Sequence, residues 1–174
     1  MRKKRLLQLT AALLCAVILS ACGGAPADTD YTCTVSISCA TILDNMDQCA
    51  ESKKELVPAD GVILPPTEVA FAEGESAFDV LQRVCRDNGI HLESKFTPVY
   101  NSAYIQGIHN IYEFDVGKLS GWMYAVNDWF PNYGCSLYQV QDGDVIRWVY
   151  TCDLGADVGS GQAAGDGQQE GAST

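Results

Sequence analysis

Polar and apolar residues alternate without a break from Thr32 to Cys39, and this pattern constrains the fold more than any other feature of the 174-residue chain. Successive side chains of a strand point to opposite faces of a sheet, so the segment is predicted to be a strand with one buried face. The apolar side chains that share that face are Cys33, Val35, Ile37 and Cys39. The protein must therefore contain a sheet that covers a core.

One helix is predicted further along the chain. Ser76 can cap it, and Asp79 follows three residues later, as in a capping box. Asn88-Gly89 marks its end. Its apolar stripe consists of Ala77, Val80, Leu81, Val84 and Cys85.

The segments before the helix read as an excursion and a strand. Residues 44–61 are charged and end in Pro58-Ala59-Asp60-Gly61, after which Val62-Ile63-Leu64 runs into Pro65-Pro66. This segment is predicted to be a long excursion with a turn. Thr67 to Ala72 is predicted to be the second strand.

The segments after the helix read as strands and turns. Trp122 to Phe130 is predicted to form a hairpin that turns at Asn127-Asp128, and Leu137 to Cys152 a second that turns at Asp142-Gly143. Asp-Gly tolerates a positive φ more readily than Asn-Asp, which favours the second hairpin. The other strands are predicted at Ile90 to Thr97, Tyr100 to Ile108 and Ile111 to Asp115. The fold class is therefore α+β, a mixed sheet with one main helix on one face.

The N-terminus has the features of a targeting segment. A cationic leader precedes an apolar run from Leu9 to Leu19, which is too short to span a bilayer. The next residues, up to Cys22, resemble a bacterial lipobox. This resemblance implies a signal peptide over residues 1–21, a lipidated Cys22 and a position on the outer face of the cytoplasmic membrane. The alternative is an ordinary signal peptide with an incidental cysteine.

The mature chain is expected to have three parts. Residues 22–30 are small and polar and are predicted to be a flexible tether. The domain is assigned to residues 31–158, with its ordered part from about Tyr31 to Leu154. The Gly-rich residues 159–174 are predicted to be a disordered tail, and residues 155–158 lead into it.

Charge and motif content limit the function classes. The formal charge is −11, and residues 1–21 hold four of the 11 basic residues and no acidic one, so the remaining chain carries −15. Nucleic acid is therefore not an expected partner. No standard nucleophile, metal or phosphate-binding spacing occurs, so we predict a binding protein, without a resident metal, rather than an enzyme.

A set of motifs connects the second half of the chain to a known family. They are Ser120-Gly121-Trp122-Met123-Tyr124-Ala125-Val126-Asn127, Phe130-Pro131-Asn132, Asp142-Gly143-Asp144-Val145-Ile146 and Trp148-Val149-Tyr150-Thr151, and the segment Glu73 to Leu81 agrees as well. Over about residues 33–158 the chain resembles DUF4430, the transcobalamin-type C-terminal domain. The resemblance implies a β-grasp-like fold, a mixed sheet crossed by one helix.

The resemblance also implies a ligand. In vitamin B12 carriers the equivalent domain closes over one side of cobalamin, and a helical barrel covers the other. The 174 residues hold no such barrel, so binding of cobalamin or a related corrinoid is expected to need a partner subunit or a second copy.

The aromatic hairpin is the candidate recognition edge. Trp129 and Phe130 follow its turn, and Pro131 prevents a long regular strand there, so at least one ring is expected to project from a loop. Burial in the core is the alternative. The same rings would also serve contact with a protein or a cell-wall polymer. The candidate ligand contacts are Trp122, Tyr124, Asn127, Asp128, Trp129, Phe130, Asn132 and Tyr133.

Six cysteines remain after residue 22, and outside the cytoplasm they can pair in 15 ways. Cys33 and Cys39 lie too far apart in one strand to pair. If the first and last strands are parallel neighbours, as in a β-grasp fold, Cys39 and Cys152 share a face and a sheet end, and their disulfide is the predicted one. A second predicted neighbour of Cys152 is Cys135, which a hairpin about Asp142-Gly143 would bring close. Reduced, buried thiols are the alternative.

Overall fold

The computed structural model of the protein describes residues 31–161. The predicted signal peptide, Cys22 and the tether lie outside the described residues, as do residues 162–174 of the predicted tail. The described part confirms the α+β prediction, with seven strands, one α-helix and short 3-10 helices. None of its helices is both long and apolar enough to cross a bilayer.

The seven strands form two sheets. The larger has the order β2-β1-β7-β6, with β1 parallel to β7 and antiparallel to β2, and the smaller has the order β3-β4-β5. The strands are β1 Tyr31–Ser38, β2 Val62–Phe71, β3 Leu92–Thr97, β4 Ser102–Ile108, β5 Ile111–Tyr112, β6 Gly121–Val126 and β7 Val145–Thr151. Helix α1 is Ala77–Asp87, and the 3-10 helices are Ala40–Asn45, Glu51–Leu56 and Ala156–Val158.

The helix and the first strand form as predicted. The Ser76 hydroxyl accepts a hydrogen bond from the Asp79 N–H, and the Asp79 carboxylate accepts one from the Ser76 N–H, which completes the capping box. The predicted stripe of α1 and the inward side chains of β1 are buried in one hydrophobic core. Alternation and capping therefore position the larger sheet and its helix.

A turn forms at the end of the charged segment, where the Gly61 N–H donates to the Pro58 carbonyl. Strand β2 begins at Val62 and runs through Pro65-Pro66, so the prediction that this strand starts at Thr67 is wrong. The two prolines are tolerated because β2 is an outer strand and because its pairing with β1 is irregular there, with a register shift between Val35 and Ile37. The excursion before it contains two 3-10 helices.

The predicted hairpin about Asp142-Gly143 does not form, because residues 137–141 are not a strand. The turn is bound to β1 instead: the Asp142 carboxylate accepts from the Thr32 N–H, and the Gly143 N–H donates to the Thr32 carbonyl. Strand β7 consequently pairs with β1 and β6. Such a hairpin would have placed Cys135 opposite Tyr150 and so close to Cys152, but Tyr150 lies opposite Trp122 instead.

The turn at Asn127-Asp128 does form a tight hairpin. Both residues have a positive φ, 50° and 67°, and Val126 bridges to Trp129 across the turn.

Two predicted boundaries also move. The strand predicted to reach Asp115 ends at Tyr112. Order continues past Leu154, because the Asp157 carboxylate accepts hydrogen bonds from the Thr151 hydroxyl and the Cys152 N–H and holds the last 3-10 helix against β7.

Candidate binding site

A cleft of about 350 Å³ lies between the β3–β4 hairpin and the loop that follows Phe130. It joins two segments of the chain, residues 97–104 and 131–137, that are separated by 26 residues. The side chains and backbone that form its walls come from Thr97, Tyr100, Ser102, Ala103, Tyr104, Pro131, Asn132, Tyr133, Gly134 and Leu137.

Hydrogen bonds hold the two walls together. The Ser136 hydroxyl accepts from the Ala103 N–H (3.0 Å) and shares a hydrogen bond with the Ser102 hydroxyl (2.8 Å). The Tyr124 hydroxyl donates to the Tyr133 carbonyl (2.9 Å). These bonds fix the floor of the cleft before any ligand arrives, which lowers the entropic cost of binding.

Gly134 permits the close approach of the walls. A Cβ atom at this position would lie 1.8 Å from the Ser102 hydroxyl oxygen and 2.4 Å from its Cβ. Ser102 is itself buried. Only glycine leaves enough space at residue 134 for the two walls to approach this closely.

Three tyrosine rings stand at the mouth of the cleft. Tyr100, Tyr104 and Tyr133 are 73%, 45% and 40% exposed. The Tyr104 hydroxyl donates to the Glu113 carboxylate (2.5 Å), and partial burial together with this hydrogen bond raises the pKa of Tyr104 to about 12. The phenol therefore stays neutral at physiological pH, and the rings offer apolar faces with polar tips.

A smaller pocket of about 190 Å³ adjoins the cleft between β4 and β6. It shares Tyr104, Pro131 and Gly134 with the cleft. Trp148 lines it, stacks on Tyr124 with ring centroids 5.5 Å apart, and has an indole N–H with no acceptor among the described residues. The two pockets together form one aromatic surface.

A separate pocket of about 390 Å³ lies elsewhere, lined by Tyr31, Glu73, Gln139 and Asp142 among others. Its lining combines two carboxylates with amides and has one exposed ring, that of Tyr31. The cleft concentrates more exposed aromatic surface and is the better candidate for an amphipathic ligand.

The predicted contacts divide between the cleft, its border and the core. Asn132 and Tyr133 line the cleft. Trp129 is 43% exposed, and its ring meets that of Tyr133 edge to face at 5.9 Å. Trp122 and Tyr124 are each only 8% exposed and pack in the core, and both also line the smaller pocket beside the cleft. The Trp122 indole N–H donates to the Ile111 carbonyl.

The two turn residues of the hairpin are occupied within the protein. The Asn127 amide donates to the buried Asp144 carboxylate and accepts from the Val145 N–H. Asp128 forms an ion pair with Arg147 at 3.0 Å. Neither Asn127 nor Asp128 lines the cleft. Phe130, which lies between this turn and the cleft in the chain, is half-buried.

Sequence reasoning missed one wall of the cleft. Tyr100 and Tyr104 were predicted only as part of a strand, and Thr97 and Leu137 only as ends of predicted strands. A usable signal was present, because Pro98 and Asn101 mark a turn beside Tyr100, and aromatic side chains next to a turn often remain exposed.

The described cysteines, six in number, are free thiols. Cys39 follows β1 and Cys152 follows β7, and these strands are parallel neighbours, so the two thiols lie at the same sheet end. Burial raises the pKa of Cys39 to about 12 and that of Cys152 to about 11. The Cys39–Cys152 disulfide stays a prediction. Within residues 31–161 no group of three or more His, Cys, Asp or Glu side chains could hold a metal ion.

The fold and the cleft define a small α+β domain with an open aromatic surface. The model of the family described as "Domain of unknown function (DUF4430)" matches residues 74–152. The comparison with curated protein sequences returned no match.

Two solved structures resemble the chain. Haptocorrin in complex with Cbi aligns at 13% identity and a TM-score of 0.51 over 78% of this chain and 28% of haptocorrin. A Ruminococcus gnavus ATCC 29149 protein to which metal binding has been attributed aligns at 15% identity and a TM-score of 0.42, over 70% of this chain and 97% of that one. The haptocorrin likeness establishes the fold alone, and this chain spans less than a third of that protein.

Proposed function

We propose that the protein is an extracytoplasmic binding module, that the cleft is its ligand surface, and that a lipidated Cys22 holds it on the outer face of the bacterial cytoplasmic membrane. The cationic leader, short apolar run and lipobox-like sequence support the anchor. Multiple acyl chains on one residue would give stable attachment where a single chain would not.

The proposed ligand is cobalamin or a related corrinoid. A corrin ring is broad and amphipathic, and the three exposed tyrosines offer apolar faces flanked by the Asn132 amide. The haptocorrin-like fold supports the same class of ligand, since that protein is in complex with Cbi.

The size of the cleft supports a need for a partner. Good pockets cover roughly 70 to 90% of a ligand, and clefts for drug-sized molecules measure about 300 to 1,000 Å³. A cleft of about 350 Å³ is at the lower end of that range and can hold only part of a corrinoid. The other face of the ligand would be covered by a partner subunit or a second copy, so binding by one copy is weak.

The observation that carries this proposal is the exposure of Tyr100 and Tyr133 on opposite walls of a cleft whose floor is already fixed. Calorimetric titration of the purified full chain with cobalamin tests it. Tyr100→Ala should weaken binding about tenfold. Val99→Ala is the matched control, because Val99 is 85% exposed on the same turn but does not line the cleft.

A protein or cell-wall ligand is the second candidate. Exposed apolar side chains continue beyond the cleft to Trp129 and Val99, which would suit a larger partner surface. Absence of cobalamin binding, together with retention of the chain on purified cell walls and its loss in Tyr100→Ala, would favour this candidate.

A further inference from the structure

Strand β3 is an open edge of the smaller sheet. It lies outside β4 in the order β3-β4-β5, and its residues 93–96 are all exposed. One of the two outer strands of the larger sheet, β2, contains Pro65-Pro66, which blunts pairing with another chain. Residues 92–97 contain no proline, so β3 is able to accept another strand.

The hydrogen-bond directions of β3 follow from its pairing with β4. The His109 N–H donates to the His91 carbonyl, so the backbone of His91 points toward β4. Backbone groups of an antiparallel strand alternate in direction, which turns the N–H and C=O groups of Leu92, Ser94 and Phe96 outward.

The other side of β4 agrees with this assignment. Ala103 lies opposite Phe96, and its N–H points away from β3 to the Ser136 hydroxyl. The register of β3 and β4 shifts after Glu93, and the extra residue, Gln106, belongs to β4. The Gln106 carbonyl points away from β3, because it accepts a hydrogen bond from the N–H of Glu113, which follows β5. The alternation along β3 is therefore unbroken.

We propose that β3 pairs antiparallel with β3 of a second copy of this chain, with Ser94 opposite Ser94 of the second copy. In this register the outward-pointing residues face one another, because Leu92 lies opposite Phe96 of the second copy. Glu93 lies opposite Lys95 of the second copy in the non-hydrogen-bonded pairs, whose side chains come closest.

The side chains of β3 complement one another in that register. Among residues 31–161 Lys95 forms no ion pair, so it is available to the second copy. The pairing creates two Glu93–Lys95 contacts by symmetry, in a chain whose net charge of −11 otherwise makes two copies repel.

The apolar pairs act on the opposite face of the strand. Phe96 is 59% exposed although it shares a face with the partly buried Leu92. Leu92 of the second copy would cover the Phe96 ring and extend the core across the edge. The result is one six-stranded sheet with the order β5-β4-β3-β3-β4-β5 across two copies.

Cysteine crosslinking tests the register. Facing residues of a hydrogen-bonded antiparallel pair have Cα atoms about 5.5 Å apart, within the range of a disulfide. The full chain with Ser94→Cys, purified in detergent and oxidised, should form a disulfide-linked dimer. Lys95→Cys is the matched control, since the two substituted positions would be about 8 Å apart, beyond disulfide reach.

A charge exchange tests the contacts. Each of Lys95→Glu and Glu93→Lys places like charges opposite each other and should raise the dissociation constant of the dimer about tenfold in sedimentation equilibrium. An equimolar mixture of the two variants should form a heterodimer with about the original affinity, because every facing pair is again of opposite charge.

Three results would overturn the proposal. The first is a full chain that remains monomeric up to about 1 mM, which is the weak end of measurable association. The others are equal crosslinking of the two cysteine variants, and a mixture of the two charge variants that associates no better than each variant alone. Pairing of β3 only with an added peptide, without self-association, would likewise assign the edge to another partner.

Discussion

Substitution of Gly134 by alanine should close the cleft and destabilise the protein. The added methyl group would lie 1.8 Å from the Ser102 hydroxyl oxygen, far inside van der Waals contact. Gly134 has no positive φ, so backbone strain does not contribute and the effect comes from space alone. Ser102 is 1% exposed and bonded to Ser136, and rotation of its side chain cannot relieve the overlap, because the methyl group would also lie 2.4 Å from the Ser102 Cβ.

The size of the effect follows from overpacking. Forcing an additional methyl group into a well-packed site costs about 1 to 3 kcal/mol. For a domain of this size, such a loss lowers the melting temperature by about 3 to 10 °C. Relief of the overlap requires the loop that carries Tyr133 to move away from β4, so binding in the cleft should weaken as well.

Thermal unfolding followed by circular dichroism measures this change. Gly161→Ala is the control, because a Cβ there meets nothing within 4 Å. Ser102→Gly removes both atoms that the new methyl group would overlap, so Gly134→Ala should cost much less in that background than alone. An unchanged melting temperature for Gly134→Ala, or equal costs in the two backgrounds, would refute the account of how the walls approach each other.

Three further predictions concern titration, the thiols and the anchor. The pKa of Tyr104 is raised above the ordinary 10 to about 12, so its contribution to stability is complete below pH 10 and is lost as the pH rises through 12. In denaturant titrations over that pH range, the Tyr104→Phe variant should therefore lose less stability than the wild type. Peptide mapping of the native chain under non-reducing conditions should find Cys39 joined to Cys152, and free thiols throughout would instead favour the reduced form with its raised thiol pKa values. Mass spectrometry should find Cys22 as a lipidated N-terminus, Cys22→Ala should release the protein or leave it unprocessed, and an unmodified Cys22 in the wild type would contradict the anchor.

Local patterns predicted the elements that local physics determines. The alternation from Thr32 to Cys39 identified β1, since period-two burial is a property of the strand itself. Ser76 and Asp79 located the start of α1 because a capping box is formed within four residues.

Features that depend on distant residues were not predictable in the same way. Asp142-Gly143 specifies a turn but not which strand it serves, and its bonds to Thr32 joined it to β1 instead of forming a hairpin. The cleft depends on the contact of Ser102 with Ser136, 34 residues apart, which no local pattern encodes. Half of the site was therefore recognised from the aromatic hairpin, and the wall that carries Tyr100 was not.

The central claim is that the cleft binds the ligand, and chemical-shift mapping tests it most directly. Amide spectra of the isotope-labelled full chain in detergent would be recorded with increasing cobalamin. We expect the largest shift changes in residues 97–104 and 131–137, with helix α1 and the separate pocket at Tyr31 and Asp142 unaffected. Changes centred on that separate pocket, or no changes at millimolar cobalamin, would contradict the account.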